Sequence, residues 1–304
     1  PVTVSGWPAE VVALSVGSEH TCVATTIGEV WCWGKNSSGQ LGDGTLTSRL
    51  SPVKVAGFSN NGLSVNAGYS SSCAITATGG VKCWGANDFG QLGDGSNDRH
   101  STPVDVTGLS DKASSIDVGT FHTCALLSNG AIQCWGKNAS GQLGNGTLND
   151  SSIPVSVVDL TSSAVSISAG ESNSCSLLSA GNIECWGENG FGQLGNGTVE
   201  KSILPVEVGG LPQAALSVSA GYYFTCAGTI ENDIYCWGRG DYGQLGNGYS
   251  SINKIVVDGY GFPGVVNSFS VGSTHSCAVL ESGKIVCWGT SFSGQLGNGD
   301  NDNH

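Results

Sequence analysis

Six times along this chain of 304 residues, a cysteine is followed ten positions later by a second cysteine and then by Trp-Gly. A few residues further on comes Gly-Gln-Leu-Gly-x-Gly. The first copy reads Cys22, Cys32, Trp33 and Gly34, then Gly39 to Gly44. The later pairs are Cys73 and Cys83, Cys124 and Cys134, Cys175 and Cys185, Cys226 and Cys236, and Cys277 and Cys287, each displaced by 51 residues with no slippage. A fixed period of this size is the signature of a repeat architecture, in which one small unit is built several times and stacked on its neighbours. The whole chain, residues 1–304, therefore reads as one repeat domain.

The cysteines also speak to compartment. Twelve of them fall into six pairs at one spacing with none left over. Ten-residue spacing suits neither a CxxC zinc site nor a CxxC redox centre, so the pairs are expected as six local disulfides. Such a set belongs to an oxidising environment: extracellular, periplasmic or at the cell surface. No apolar run approaches the length of a membrane span. The lack of an initiator Met and of a signal-like segment fits a mature chain or an excised domain.

Within one repeat, Val12–Val16 alternates apolar and small residues as a short strand does. His20–Ala24 and Val30–Trp33 are two further strands around a turn centred near Ile27. That turn sets Cys22 opposite Cys32 across an antiparallel pair, within disulfide reach. A long glycine-rich connection leads to a fourth strand, Ser51–Val55, whose Pro52 restricts it to an edge. Four antiparallel strands repeated six times predict an all-β, six-bladed β-propeller with one disulfide per blade. The opening Pro1-Val2-Thr3-Val4 matches Pro52–Val55, Pro103–Val106, Pro154–Val157 and Pro205–Val208. Residues 1–5 are accordingly expected to supply the outer strand of blade six and tie the ring shut.

Gly119-x-x-His122-Thr123-x-Ala125-Leu126, followed by Trp135-Gly136-x-Asn138-x-x-Gly141-Gln142-Leu143-Gly144, resembles the repeat of the regulator of chromosome condensation family. The resemblance extends over all six repeats and implies the propeller fold. The best-known members of that family have seven blades and lack the cysteine pair. The resemblance brings in a nuclear exchange factor for a small GTPase, and also secreted bacterial members, one an inhibitor of β-lactamases. The disulfides look like the extracellular branch.

Most recurring side chains read as scaffold. Trp33, Trp84, Trp135, Trp186, Trp237 and Trp288 stand once per repeat and suit packing between blades. His20, His122 and His275 share a column with Ser71, Asn173 and Phe224, which fits a structural hydrogen-bonding position better than a metal ligand. Gly238–Gly243 matches G-x-G-x-x-G, yet no βαβ unit surrounds it. The same stretch holds Arg239-Gly240-Asp241, an adhesion tripeptide in an exposed loop. No catalytic constellation, metal set or cofactor motif is present, so the chain reads as non-catalytic with no cofactor. A net charge of −13 with 11 basic residues argues against nucleic acid.

Variation on the constant frame concentrates at one end of the blades. The loops joining strands one and two, and strands three and four, share a face. That face carries Tyr69, Phe89, Phe121, Phe191, Tyr222, Tyr223, Arg239, Asp241, Tyr242 and Phe292. Aromatic side chains on rigid loops favour protein recognition. The sequence thus predicts a secreted or surface-displayed binding module for a protein partner. The alternatives are a protomer or adhesive tip of an extracellular assembly and, more remotely, an exchange-factor-like regulator.

Overall fold

A computed structural model describes residues 3–58, 60–249, 252–258 and 264–303. The chain is all-β and builds six propeller blades of antiparallel strands, one per 51-residue repeat. It divides into two compact units. The first comprises Pro1–Ala139 with Asn149–Val157, and the second Ser140–Leu148 with Val158–His304.

In the first unit, blade one is β1 (Val11–Val16), β2 (His20–Thr25), β3 (Val30–Gly34) and β4 (Arg49–Lys54). Blade two is β5 (Gly62–Ala67), β6 (Ser71–Thr76), β7 (Val81–Gly85) and β8 (His100–Asp105). Blade three is β9 (Ala113–Val118), β10 (His122–Leu127), β11 (Ile132–Gly136) and β12 (Ser151–Ser156). In the second unit, blade four is β13 (Ala164–Ala169), β14 (Asn173–Leu178), β15 (Ile183–Gly187) and β16 (Ser202–Glu207). Blade five is β17 (Ala215–Ala220), β18 (Phe224–Thr229), β19 (Ile234–Gly238) and β20 (Asn253–Asp258). Blade six holds β21 (Val266–Val271), β22 (His275–Leu280) and β23 (Ile285–Gly289). In every sheet neighbouring strands follow sequence order, the meander that short turns permit.

The hairpin between the second and third strands fixes the disulfide. Thr25 N–H donates to the Glu29 carbonyl at 2.9 Å and Gly28 N–H to the Thr25 carbonyl at 2.8 Å. Cys22 then pairs directly with Cys32, at a Cα separation of 4.1 Å. The same register bonds Cys73 to Cys83 in blade two and Cys124 to Cys134 in blade three. In the second unit it bonds Cys175 to Cys185, Cys226 to Cys236 and Cys277 to Cys287. All six pairings expected from the spacing are formed, and no cysteine is left free. The second strands of blades two, three and four are buried along their whole length, with layers on both faces. The proline-bearing fourth strands are half-exposed edges, where a missing N–H costs no ladder bond.

Blades stack through the tryptophans. In the first unit Trp84 Nε1 donates to the Gln40 carbonyl and Trp135 Nε1 to that of Gln91, each at 2.9 Å. Around the first contact Leu41, Val55, Phe58, Val65 and Ala74 form one buried cluster. In the second unit Trp186 reaches Gln142, Trp237 reaches Gln193 and Trp288 reaches Gln244. Each of these five Gly-Gln-Leu-Gly turns therefore offers an apolar leucine and a carbonyl acceptor to the next blade. The reading of the tryptophans as inter-blade packing holds at these five positions.

Of residues 1–5, expected as the outer strand of blade six, Pro1 and Val2 lie outside the described residues, and residues 3–10 carry no strand. Blade six shows three strands among the described residues. Trp7 stacks on Trp33, with ring centroids 5.8 Å apart, which holds this segment on blade one. Among the described residues, no helix is long and apolar enough to cross a membrane.

Candidate functional site

One backbone hydrogen bond per blade sets the geometry of the variable loops. The N–H of the residue after Trp-Gly donates to the carbonyl in the loop between the first two strands. Lys137 N–H reaches the Phe121 carbonyl, and Arg239 N–H that of Tyr223, at 2.9 Å each; Lys35 N–H reaches the Glu19 carbonyl at 2.8 Å. Side chains from the two loops of one blade are thereby held side by side. The outer loop is fixed separately by the repeated glutamine, whose Oε1 accepts from Phe89 N–H, Phe191 N–H and Tyr242 N–H at 2.9–3.0 Å. The repeated asparagine does the same at the far end, Asn87 Oδ1 accepting from Leu92 N–H.

In the first unit these constraints gather Tyr69, Phe89 and Phe121. Phe89 and Phe121 meet edge to face at 5.3 Å, and Tyr69 lies 6.2 Å from Phe121. Lys137 Nζ stands 5.0 Å from both phenylalanine centroids. A cation over a ring face is worth about 0.5–1 kcal/mol at an exposed site, so two rings hold this ammonium in place. Among the described residues Lys137 forms no salt bridge, in contrast to Lys35, Lys54 and Lys82. Tyr69 is exposed, while the two phenylalanines and Lys137 are half-buried.

In the second unit Phe191, Tyr222, Tyr223, Arg239 and Tyr242 form a larger cluster. Phe191 lies 4.9 Å from Tyr223, and Tyr222 packs on Tyr223 at 4.7 Å with planes 85° apart. The Arg239 guanidinium covers Phe191, Tyr223 and Tyr242 at 5.2, 5.8 and 5.4 Å. Its Nε donates to Asp241 Oδ2 at 2.8 Å, which raises its pKa and fixes its edge. Phe292 extends the cluster from Tyr242 at 5.8 Å and is 65% exposed. Burial pushes the Tyr223 phenol up, aided by a hydrogen bond to Glu171.

The residues read from the sequence are thus brought together as two clusters, one per unit. The Arg239-Gly240-Asp241 stretch is largely spent within the protein, since its two charged groups bind each other and its guanidinium lies on rings. Lys137 was not legible as a member. The signal is the column after Trp-Gly, which reads Lys35, Ala86, Lys137, Glu188, Arg239 and Thr290. Its charges vary on an otherwise constant motif.

The pattern of the RCC1-like domain family matches residues 1–304. The ultraviolet-B receptor UVR8 of Arabidopsis thaliana is 36% identical over 277 residues, covering 90% of this chain and 61% of the receptor. This chain therefore spans about three fifths of that relative. The crystal structure of human WBSCR16 superposes with a TM-score of 0.88 at 20% identity, covering 98% of this chain and 81% of that one. The CRINKLY WD40 ectodomain of the Arabidopsis thaliana receptor kinase ACR4 matches with a TM-score of 0.58 at 18% identity, over 91% of this chain and 78% of that one.

Proposed function

The chain belongs to the RCC1-like domain family, and from that premise we propose that it is a non-catalytic protein-recognition module of an extracellular, periplasmic or cell-surface compartment. The observation that carries the reading is the pair of cation-capped aromatic clusters. Phe89, Phe121 and Lys137 in one unit, and Phe191, Tyr223 and Arg239 in the other, are immobilised before any partner arrives. Rings already ordered lose little conformational entropy on binding, the property that makes aromatic side chains interface anchors. The six disulfides support the compartment, because thiols in the cytosol are kept reduced. The same argument speaks against exchange activity on a cytosolic GTPase.

The test is partner capture on the immobilised chain from secreted and surface proteins. Tyr223→Ala with Arg239→Ala, and Phe121→Ala with Lys137→Ala, are compared with Asp111→Ala in the connection between β8 and β9, at the other end of the strands from the aromatic loops. Loss of one partner with either aromatic pair, and its retention by Asp111→Ala, supports the face. Equal capture by all variants places recognition elsewhere. Light scattering of the chain alone addresses the second reading, an assembly protomer, which requires mass to grow with concentration.

A further inference from the structure

The aromatic loops of the second unit carry an unbalanced charge, and the imbalance is fixed in place. Glu188 stands in the column after Trp-Gly, which holds Arg239 one repeat later. Its Oε2 accepts from Ser140 Oγ at 2.9 Å, and its Oε1 from the N–H groups of Asn189 and Gly190 at 3.3 and 3.1 Å. Glu171 accepts from the Tyr223 phenol, and the Glu188 charge also reaches that phenol. All of these donors are neutral, so the two carboxylates are oriented while keeping their full charge. Among the described residues neither takes part in an ion pair. Arg239 does not offset them, because its own charge is met by Asp241 at 2.8 Å. Both glutamates are half-buried, where a charge is less screened than in open water.

Arg239 shows how a cation is received here. Its guanidinium lies over Phe191, Tyr223 and Tyr242 at 5.2, 5.8 and 5.4 Å, with the Asp241 carboxylate at its edge. Rings together with a carboxylate hold one guanidinium. The same two ingredients recur beside it, in Tyr222 packed on Tyr223 and in the carboxylates of Glu171 and Glu188.

We propose that this face takes a basic segment of a protein partner, an arginine or lysine setting its charged head on the Glu171 and Glu188 carboxylates and its aliphatic stem against Tyr222 and Tyr223. The assignment rests on the reading of the aromatic loops as a protein-recognition surface and adds the sign of the partner. A long cationic side chain uses both halves of the site, because its stem buries against rings while its head stays with charge. An acidic segment meets two fixed carboxylates and is repelled. The net charge of −13 steers a basic partner towards the protein in the same sense.

The test is fluorescence anisotropy of a labelled peptide of alternating arginine and glycine, titrated with the 304-residue chain. One counterpart carries citrulline, which keeps the shape of arginine without its charge, and another carries glutamate. The arginine peptide is expected to bind roughly tenfold more tightly than the citrulline peptide and to weaken as salt rises, while the glutamate peptide does not bind. Glu171→Gln with Glu188→Gln lowers the arginine affinity by roughly tenfold. Glu231→Gln with Asp233→Asn removes the same charge from the exposed turn between β18 and β19, at the other end of the strands, and leaves the affinity unchanged. Glu188→Lys gives a second route to the same loss, with a side chain that this column already carries as Lys35 and Lys137.

Three results overturn the proposal. Absence of arginine-peptide binding at low salt removes the basic partner. Equal affinity for the arginine and citrulline peptides removes the role of charge; if Tyr223→Ala with Arg239→Ala then abolishes both, the face remains a recognition surface for an uncharged segment. Equal weakening by the two paired neutralisations shows attraction to net charge alone and removes the site. Failure of the recognition reading itself gives a different result, namely protein capture that Tyr223→Ala with Arg239→Ala leaves intact.

Discussion

Gly93 lies directly beneath the indole of Trp135: a Cβ built on Gly93 falls 2.7 Å from Trp135 Nε1, and its backbone sits at φ +74°. The glycine closing Gly-Gln-Leu-Gly is thus required twice over, once by a left-handed conformation and once by the approach of the next blade. Gly93→Ala is expected to cost about 2–4 kcal/mol, because strain and overpacking act together and the buried indole has nowhere to move. Denaturant unfolding measures it. The same substitution at Gly57, where nothing stands within 4 Å, costs only the backbone strain.

The disulfides give a second expectation. Cys124 and Cys134 are fully buried at the centre of blade three, as are Cys22 and Cys32, Cys73 and Cys83, Cys175 and Cys185, and Cys226 and Cys236. Thiol reductant cannot reach these sulfurs without opening a blade, so the five bridges should survive mild reduction of the native protein. Cys277 and Cys287 in blade six are only half-buried and should open first. Reduction of the unfolded chain should release all twelve thiols. Replacing Cys124 and Cys134 together by alanine is expected to lower stability by up to about 3 kcal/mol, and by less if the hairpin stays ordered when unfolded. Thiol counting by mass spectrometry checks the order of reduction, and denaturant unfolding the loss of stability.

Much of this was legible because the physics is local. A hairpin of fixed turn length sets Cys22 against Cys32, and a proline confines Ser51–Val55 to an edge. Both follow from sequence spacing alone. The aromatic columns were legible for the same reason, since position in a repeat fixes position on a face. Lys137 was not, because its seat depends on the backbone bond to Phe121 and on a ring from the blade before. The opening stretch shows the limit of pattern. Pro1–Val4 has the composition of an outer strand, but a strand forms only beside a neighbour offering its ladder, which composition does not reveal. Among residues 3–10 the contact the structure does give, Trp7 on Trp33, has no counterpart in the repeat pattern.

The buried histidines predict sensitivity to acid. Ser72 Oγ gives its proton to the Gln40 carbonyl, so it accepts from His20 Nε2 at 2.8 Å, which leaves His20 Nδ1 buried without a partner. Burial lowers the pKa of His20 from 6.5 to about 4, and that of His122 likewise. A histidine depressed in the folded state binds fewer protons there than when unfolded. Its contribution is therefore intact above pH 6.5 and is lost as pH falls towards 4, by roughly 3 kcal/mol per histidine. Thermal midpoints should drop through this window. His122→Asn, the residue that blade four carries as Asn173, should flatten the drop. An unchanged slope in that variant would remove His122 as the cause.

The aromatic cluster of the second unit can be read through Tyr223. Its phenol is raised above 10 first by burial and then by its hydrogen bond to Glu171, while the nearby Arg239 charge pulls the other way. A raised phenol favours the folded state below the unfolded pKa, and that stability is lost as pH rises through the folded value. In an alkaline titration followed by phenolate absorbance, Tyr223 should ionise later in the folded chain than in the unfolded one. Glu171→Gln removes the negative charge and should bring it down. Arg239→Ala should push it further up, because a cation that favours phenolate is gone. Opposite shifts from these two substitutions would show that guanidinium, phenol and carboxylate act on one another at fixed distance, which is what a preordered binding surface requires. If neither substitution moves the Tyr223 titration, the cluster is loose in solution, and its rings carry no entropic advantage for a partner.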